Sequence, residues 1–179
     1  MNQRIVISNL QYFPSIASFS ALLGASKIIF DNNLNYNRSS YFNKCKIAGA
    51  NNVILLSVPL KKAKTNKQKI SEVEIANYEN WHLQHWRGIQ SAYKKSPFFE
   101  MYELELEQIF LTENQKLLDL NLKIFGWLKT VFNLSTEIVF AKQFVAIENE
   151  FTDLRFALKP TQIPTWFKQE KYFQLFEHN

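Results

Sequence analysis

The hydrophobic positions of this chain change period several times along its length. Near the start, Ile5-Val6-Ile7 form a continuous apolar run, which predicts a buried strand within Arg4 to Leu10. Gln11-Tyr12-Phe13-Pro14 breaks that run, because proline restrains the residue before it and leads readily into a helix. From Ser15 to Leu23, the residues Ile16, Phe19, Leu22 and Leu23 share one side at helical spacing, and Gly24 ends the segment. Lys27 to Phe30 predicts a second strand that closes on Asp31. Strand, helix and strand in about thirty residues predict a parallel crossover unit. Such a unit puts the loop after its first strand and the end of its second on one sheet edge, where ligands bind. Tyr12 and Asp31 are therefore expected to be neighbours.

Asn32 to Lys46 reads as a turn-rich loop, and Val53 to Leu60 as the clearest strand, with Pro59 marking its exit. Lys61, Lys62, Lys64, Lys67 and Lys69 predict an exposed loop, after which Ile70, Val73 and Ile75 resume a strand-like pattern. A helix follows from Trp81, with Trp81, His85, Ile89 and Ala92 on one stripe and Trp86 and Tyr93 widening it. Ser96-Pro97 predicts the start of the next helix, with Phe98, Tyr102, Leu106 and Ile109 or Phe110 inward and the glutamates 100, 103, 105 and 107 outward in solvent. Thr112 and Gln115 are spaced as a capping box for a third long helix. Its apolar face is Leu117, Leu120, Ile124, Trp127 or Leu128, and Val131, ending near Asn133. Thr136 to Phe140 predicts a short strand and Phe144 to Ile147 a further edge segment, while the tail from Asp153 is less regular. The fold class is α/β: a single domain over residues 1–179, with a Rossmann-like N-terminal crossover unit and a largely helical C-terminal half.

Composition narrows the function classes. With 179 residues and 46% hydrophobic content, the chain can bury a substantial core. Its net charge of +5 tolerates an anionic ligand without demanding nucleic acid. The lysine run has no interleaved aromatic to stack a base, so a solvated face is the simpler reading. No apolar run reaches membrane-span length, and the first residues lack the pattern of a secretory leader, so a cytoplasmic location is expected. Cys45 is the single cysteine, which leaves no internal disulfide, and a structural thiol is favoured over a nucleophile. One cysteine and three histidines provide too few well-spaced ligands for a structural zinc.

The candidate chemistry lies in three segments: Tyr12 to Pro14, Asp31 to Lys46, and His82 to Arg87. The first turn has no glycine-rich phosphate loop, which excludes the common dinucleotide mode and suits an aromatic-lined pocket or a simple core cap. Arg38 offers a planar fork to a carboxylate or phosphate, with Lys44 and Lys46 as further cations. Tyr36 and Tyr41 can stack on a ring or sugar face, and Asn35 and Asn43 supply amides; a solvated loop is the plain alternative. His85 is the candidate proton shuttle, since a free histidine titrates near neutrality, or else a hydrogen-bonded wall residue. Arg87 lies two residues from His85 and points elsewhere on an ideal helix, so it steadies an anion only if the helix end bends. The aromatics Trp166, Phe167, Tyr172 and Phe173 need a groove, a partner protein or a second copy to cover them.

Three stretches, LQYFPSIASFSALL, NYNRSSYFNKCKIAGANNVILLSVPL and above all WHLQHWRGIQSAYKKSPFFEMY, resemble the WbqC-like protein family in order and spacing. The resemblance implies a place in surface-polysaccharide biosynthesis. Within that pathway, Arg38, His85 and the nearby tyrosines suggest a transferase acting on an activated sugar or related small metabolite, and the aromatic excess suggests as the alternative a non-enzymatic binding or assembly protein. The resemblance leaves the cofactor unknown. Two departures stand out. Asn43-Lys44-Cys45 replaces the family's usual asparagine-arginine-cysteine step, which keeps the charge and loses the fork. The aromatic tail that many members carry beyond Tyr172-Phe173 is missing, as in a naturally short or C-terminally cut chain.

Overall fold

The apolar run at the start forms strand β1 (Ile5–Ser8), and the second run forms β2 (Lys27–Asp31). They pair in parallel, with Ile5 opposite Lys27 and Ser8 opposite Phe30, and helix α1 (Ile16–Ser20) connects them. Ser15 caps that helix through a hydrogen bond from the Ser18 amide, and Gly24 turns the chain at a φ of 73°. The predicted crossover is thus present. This computed structural model describes residues 4–61, 67–146, 151–157, 167–168 and 170.

Two further strands complete the sheet. β5 (Glu137–Ala141) lies parallel to β2, and β6 (Phe151–Asp153) parallel to β1, giving the order β5-β2-β1-β6. Between β2 and β5 in sequence, β3 (Lys44–Ala48) and β4 (Val53–Ser57) form a separate antiparallel ribbon, with Lys44 opposite Ser57. Lys44 and Lys46 therefore belong to a strand and not to the preceding loop. Cys45 is buried and Lys46 exposed, the alternation of a ribbon packed on one face. β4 stops at Ser57, earlier than its apolar run suggests, since Pro59 cannot donate to a ladder. Ile70–Glu72 is a single 3-10 turn in place of the expected strand, although Leu60 and Ile75 still form an antiparallel bridge. Lys62 and Lys64 lie outside the described residues.

Helix α2 (Trp81–Tyr93) buries the expected stripe of Trp81, His85, Ile89 and Ala92, together with Trp86. α3 (Phe99–Leu111) begins later than Ser96-Pro97 predicts. The Ser96 hydroxyl donates to the Tyr93 carbonyl and so closes α2. Phe98 takes a left-handed conformation (φ 65°) and stays 71% exposed, while Phe99 enters the core in its place. The glutamates of α3 are not all idle in solvent. Glu107 accepts from the Trp86 indole (3.1 Å), Glu105 from Trp127 (3.0 Å) and Glu103 from Gln90 (3.2 Å).

α4 (Leu117–Val131) starts from Lys116, and no capping box forms, because the Thr112 hydroxyl donates back to the Gln108 carbonyl. Asn133, at a φ of 47°, lies just beyond its end as expected. α4 links two apolar clusters. Leu117, Leu120 and Ile124 pack with Tyr12, the ribbon, α2 and α3, whereas Phe125 packs with β1, α1, β2 and Leu154. Burial of each such side chain contributes roughly 1.5–3 kcal/mol, which gives the helix an anchor in both clusters. The architecture is α/β, with the long helices following the ribbon. No helix among the described residues is long and apolar enough to cross a membrane.

Candidate functional site

An open cleft of about 1000 Å³ lies between the loop after β2, the start of the ribbon, and Phe144 and Phe156. Asn35, Tyr36, Arg38, Asn43 and Lys44 all line it, so five of the sequence-derived candidates converge. Asn43 organises this wall. It is buried, accepts from the Tyr36 hydroxyl (2.9 Å) and donates to the Val58 carbonyl (2.9 Å). Asn35 is held by a bridge to Lys69. Burial raises the Tyr36 hydroxyl pKa, and the Arg38 charge offsets part of that rise, which places the guanidinium within electrostatic reach of the ring. Arg38 is exposed, and neither Arg38 nor Lys44 forms an ion pair among the described residues. Two cations without ion pairs among the described residues thus stand beside amides and a phenol, groups whose chemistry can pair with an anion and with hydroxyls.

Tyr12 and His85 do not line this cleft. They form a buried pair behind it, with the Tyr12 hydroxyl 2.7 Å from His85 Nδ1. The imidazole is only 6% exposed and packs edge-on against Trp81 and Phe110. Burial lowers its pKa to about 4, so the ring is neutral at pH 7; a backbone hydrogen bond to Ser57 opposes the shift. The ring tautomer sets which partner donates in the Tyr12–His85 bond. Ser57 itself lines the cleft, so His85 sits one residue behind the surface.

Asp31 is engaged elsewhere. Its carboxylate meets Arg155 Nη1 at 2.7 Å in a fully buried ion pair and also accepts from the Asn33 and Val145 amides. Tyr12 and Asp31 thus serve different networks, although both follow the same edge of the sheet. Arg155 continues to Asp153 through Nε (3.0 Å) and Nη2 (2.8 Å). Burial raises the Asp153 pKa, but the hydrogen bonds and charge of Arg155 outweigh it and leave the carboxyl below its ordinary value. The guanidinium carbon also lies 4.6 Å from the Phe144 ring centre and 5.9 Å from that of Phe156. Sequence reasoning missed Arg155, and the available signal was a lone arginine two residues after an aspartate near a short apolar run. Arg87 is exposed on α2 and does not line the cleft.

A second cavity of about 430 Å³ is mainly apolar and includes Phe13, Pro14, Tyr41, Cys45, Ile89 and Trp127. Burial pushes the Cys45 thiol up to about 12, which suits packing and not nucleophilic attack. Among the described residues, no three His, Cys, Asp or Glu side chains group as metal ligands.

The chain matches the model of the WbqC-like protein family over residues 10–172. It belongs to that family. No curated protein matches the chain, and no solved structure does. The family match takes in every residue lining the large cleft, the Tyr12–His85 pair and the Arg155 network. Of the C-terminal aromatics expected to meet a partner, Trp166, Tyr172 and Phe173 lie outside the described residues, and Phe167 is half-buried.

Proposed function

We propose that this WbqC-like chain is a cytoplasmic transferase of surface-polysaccharide biosynthesis that takes an activated sugar or related anionic metabolite into the large cleft. The observation that carries this reading is the convergence of Arg38 and Lys44, without ion pairs among the described residues, on a wall of Asn35, Tyr36 and Asn43. Arg38 supplies a directional fork to a phosphate or carboxylate, and Lys44 adds a point charge. The amide and phenol groups suit sugar hydroxyls. His85 takes the role of a positioning residue through Ser57, since the ring is buried, does not line the cleft, and has its Nδ1 paired with the Tyr12 hydroxyl. Tyr12 and Asp31 support the scaffold, and Arg87 has no part in this site.

One observation favours a second reading, that of a non-enzymatic binding or assembly protein. No Asp, Glu or His lines the cleft among the described residues, so no ordinary side-chain base faces a bound ligand. One experiment separates the two readings. The protein is incubated with nucleotide-sugar and acylated-cofactor pools, and retained or altered species are identified by mass spectrometry. New products support transfer, and unaltered retention supports binding. Equal retention by a folded Arg38→Ala/Lys44→Ala variant would reject the cleft in both readings.

A further inference from the structure

Phe144 and Phe156 are large aromatic residues left 59% and 63% exposed, and both line the cleft that holds Arg38 and Lys44. Their positions are set by one buried side chain. The Arg155 guanidinium lies over the Phe144 ring at 4.6 Å and 5.9 Å from the Phe156 ring centre. The same guanidinium donates to the Val145 carbonyl (2.8 Å), and Asp31 accepts from the Val145 amide (3.1 Å). The residue after Phe144 is thus held from both sides, while Phe156 follows Arg155 directly. Asp31 and Asp153 fix the guanidinium in turn. Two rings held this firmly lose little freedom when a flat partner stacks on them. Neither is ring-stacked on another aromatic among the described residues. The wall therefore offers open aromatic surface within the cleft that also carries two cations.

We infer that the cleft takes its anionic ligand as a nucleotide conjugate. The base stacks on the Phe144–Phe156 wall, and the diphosphate meets Arg38 and Lys44. This rests on the anion-binding reading of the cleft and adds the nucleoside as the recognised handle. A cleft of about 1000 Å³ is at the upper end of small-molecule sites, which leaves room for a base, a diphosphate and a sugar. A purely aliphatic phosphate would use the cations and leave the aromatic wall idle.

Calorimetric titration of the full chain with UDP, ADP and inorganic pyrophosphate tests the inference. At least one nucleotide is expected to bind roughly tenfold or more tightly than pyrophosphate, the advantage that stacking of one base typically provides. Phe144→Leu and Phe156→Leu keep apolar bulk without a stacking face. They are expected to bring the nucleotide down toward pyrophosphate and leave pyrophosphate itself unchanged. Arg38→Ala is expected to weaken both, and thermal melts check that every variant is folded. Equal affinity for nucleotides and pyrophosphate in the wild type overturns the nucleoside assignment while the anion site stands. A nucleotide advantage that survives both leucine variants overturns it too. Failure of all three probes to bind removes the anion site and the inference with it.

Discussion

The Tyr12 hydroxyl and His85 Nδ1 lie 2.7 Å apart, joining the loop after β1 to the middle of α2 across 73 residues. The bond ties a buried phenol to a neutral imidazole, and its pH dependence follows from that. The folded ring has a pKa of about 4, against 6.5 as the ordinary value that the unfolded chain approaches. The associated stability is fully present above about pH 6.5. It falls as the unfolded state takes up the proton first, and is lost by the time pH reaches about 4. The full effect is roughly 3 kcal/mol. Urea midpoints at pH 7, 5.5 and 4.5 for wild type and His85→Gln measure it. The difference between the two proteins should shrink as pH falls, and a pH-independent difference would contradict the buried neutral ring.

The Asp31–Arg155 pair is expected to behave as a buried charge pair. Arg155→Met leaves Asp31 without its cation and should cost about 3–5 kcal/mol. Adding Asp31→Asn removes the stranded charge and should recover part of the loss. Chemical denaturation of the two variants decides this. A double variant no more stable than Arg155→Met would show that the charge is not the source of the effect.

Gly24 and Gly126 should respond to alanine in opposite directions. A Cβ at either position meets nothing within 4 Å, so packing does not decide the outcome. Gly24 has a φ of 73°, where alanine is strained by about 1 kcal/mol. Gly126 lies inside α4, where alanine gains about 0.8–1 kcal/mol in helix propensity. Thermal melts should shift down for Gly24→Ala and up for Gly126→Ala. Shifts of the same sign would refute the conformational explanation.

Cys45 should resist alkylation in the folded protein. Its thiol is buried and its pKa is pushed up to about 12, so the thiolate is scarce at pH 8. Iodoacetamide labelling followed by mass spectrometry should rise only as urea unfolds the chain. Rapid labelling without denaturant would mean that the thiol is open and activated.

The sequence shows local periodicity far better than long-range partnership. Val6-Ile7, the Trp81–Ala92 stripe and the Leu117–Ile124 face bury because each belongs to a local pattern with one period. The alternation of Lys44, Cys45, Lys46 and Ile47 is also a strand pattern, but the surrounding polar residues masked it. Phe98 and Phe99 exchanged roles because one left-handed residue rotated the helix start. In the cleft, the grouping of Asn35, Tyr36, Arg38, Asn43 and Lys44 was visible because they are close in sequence. The aromatic wall was not, because it depends on Arg155 finding Asp31 across 124 residues. The depressed histidine was hidden for the same reason, since burial under Ser57 is a tertiary property.

Strand β1 pairs on one side with β2 and on the other with β6, whose residues are made 146 positions later. At ordinary ribosomal speeds of 5–20 residues per second, this separation is roughly 7 to 30 s of synthesis. Throughout that interval the first crossover can form while one row of β1 amides and carbonyls has no strand to meet. The Asn9 side chain, which ends up donating to the Arg155 carbonyl, waits equally long. The nascent chain thus carries an open strand edge at β1, and translation of β6 is what closes it.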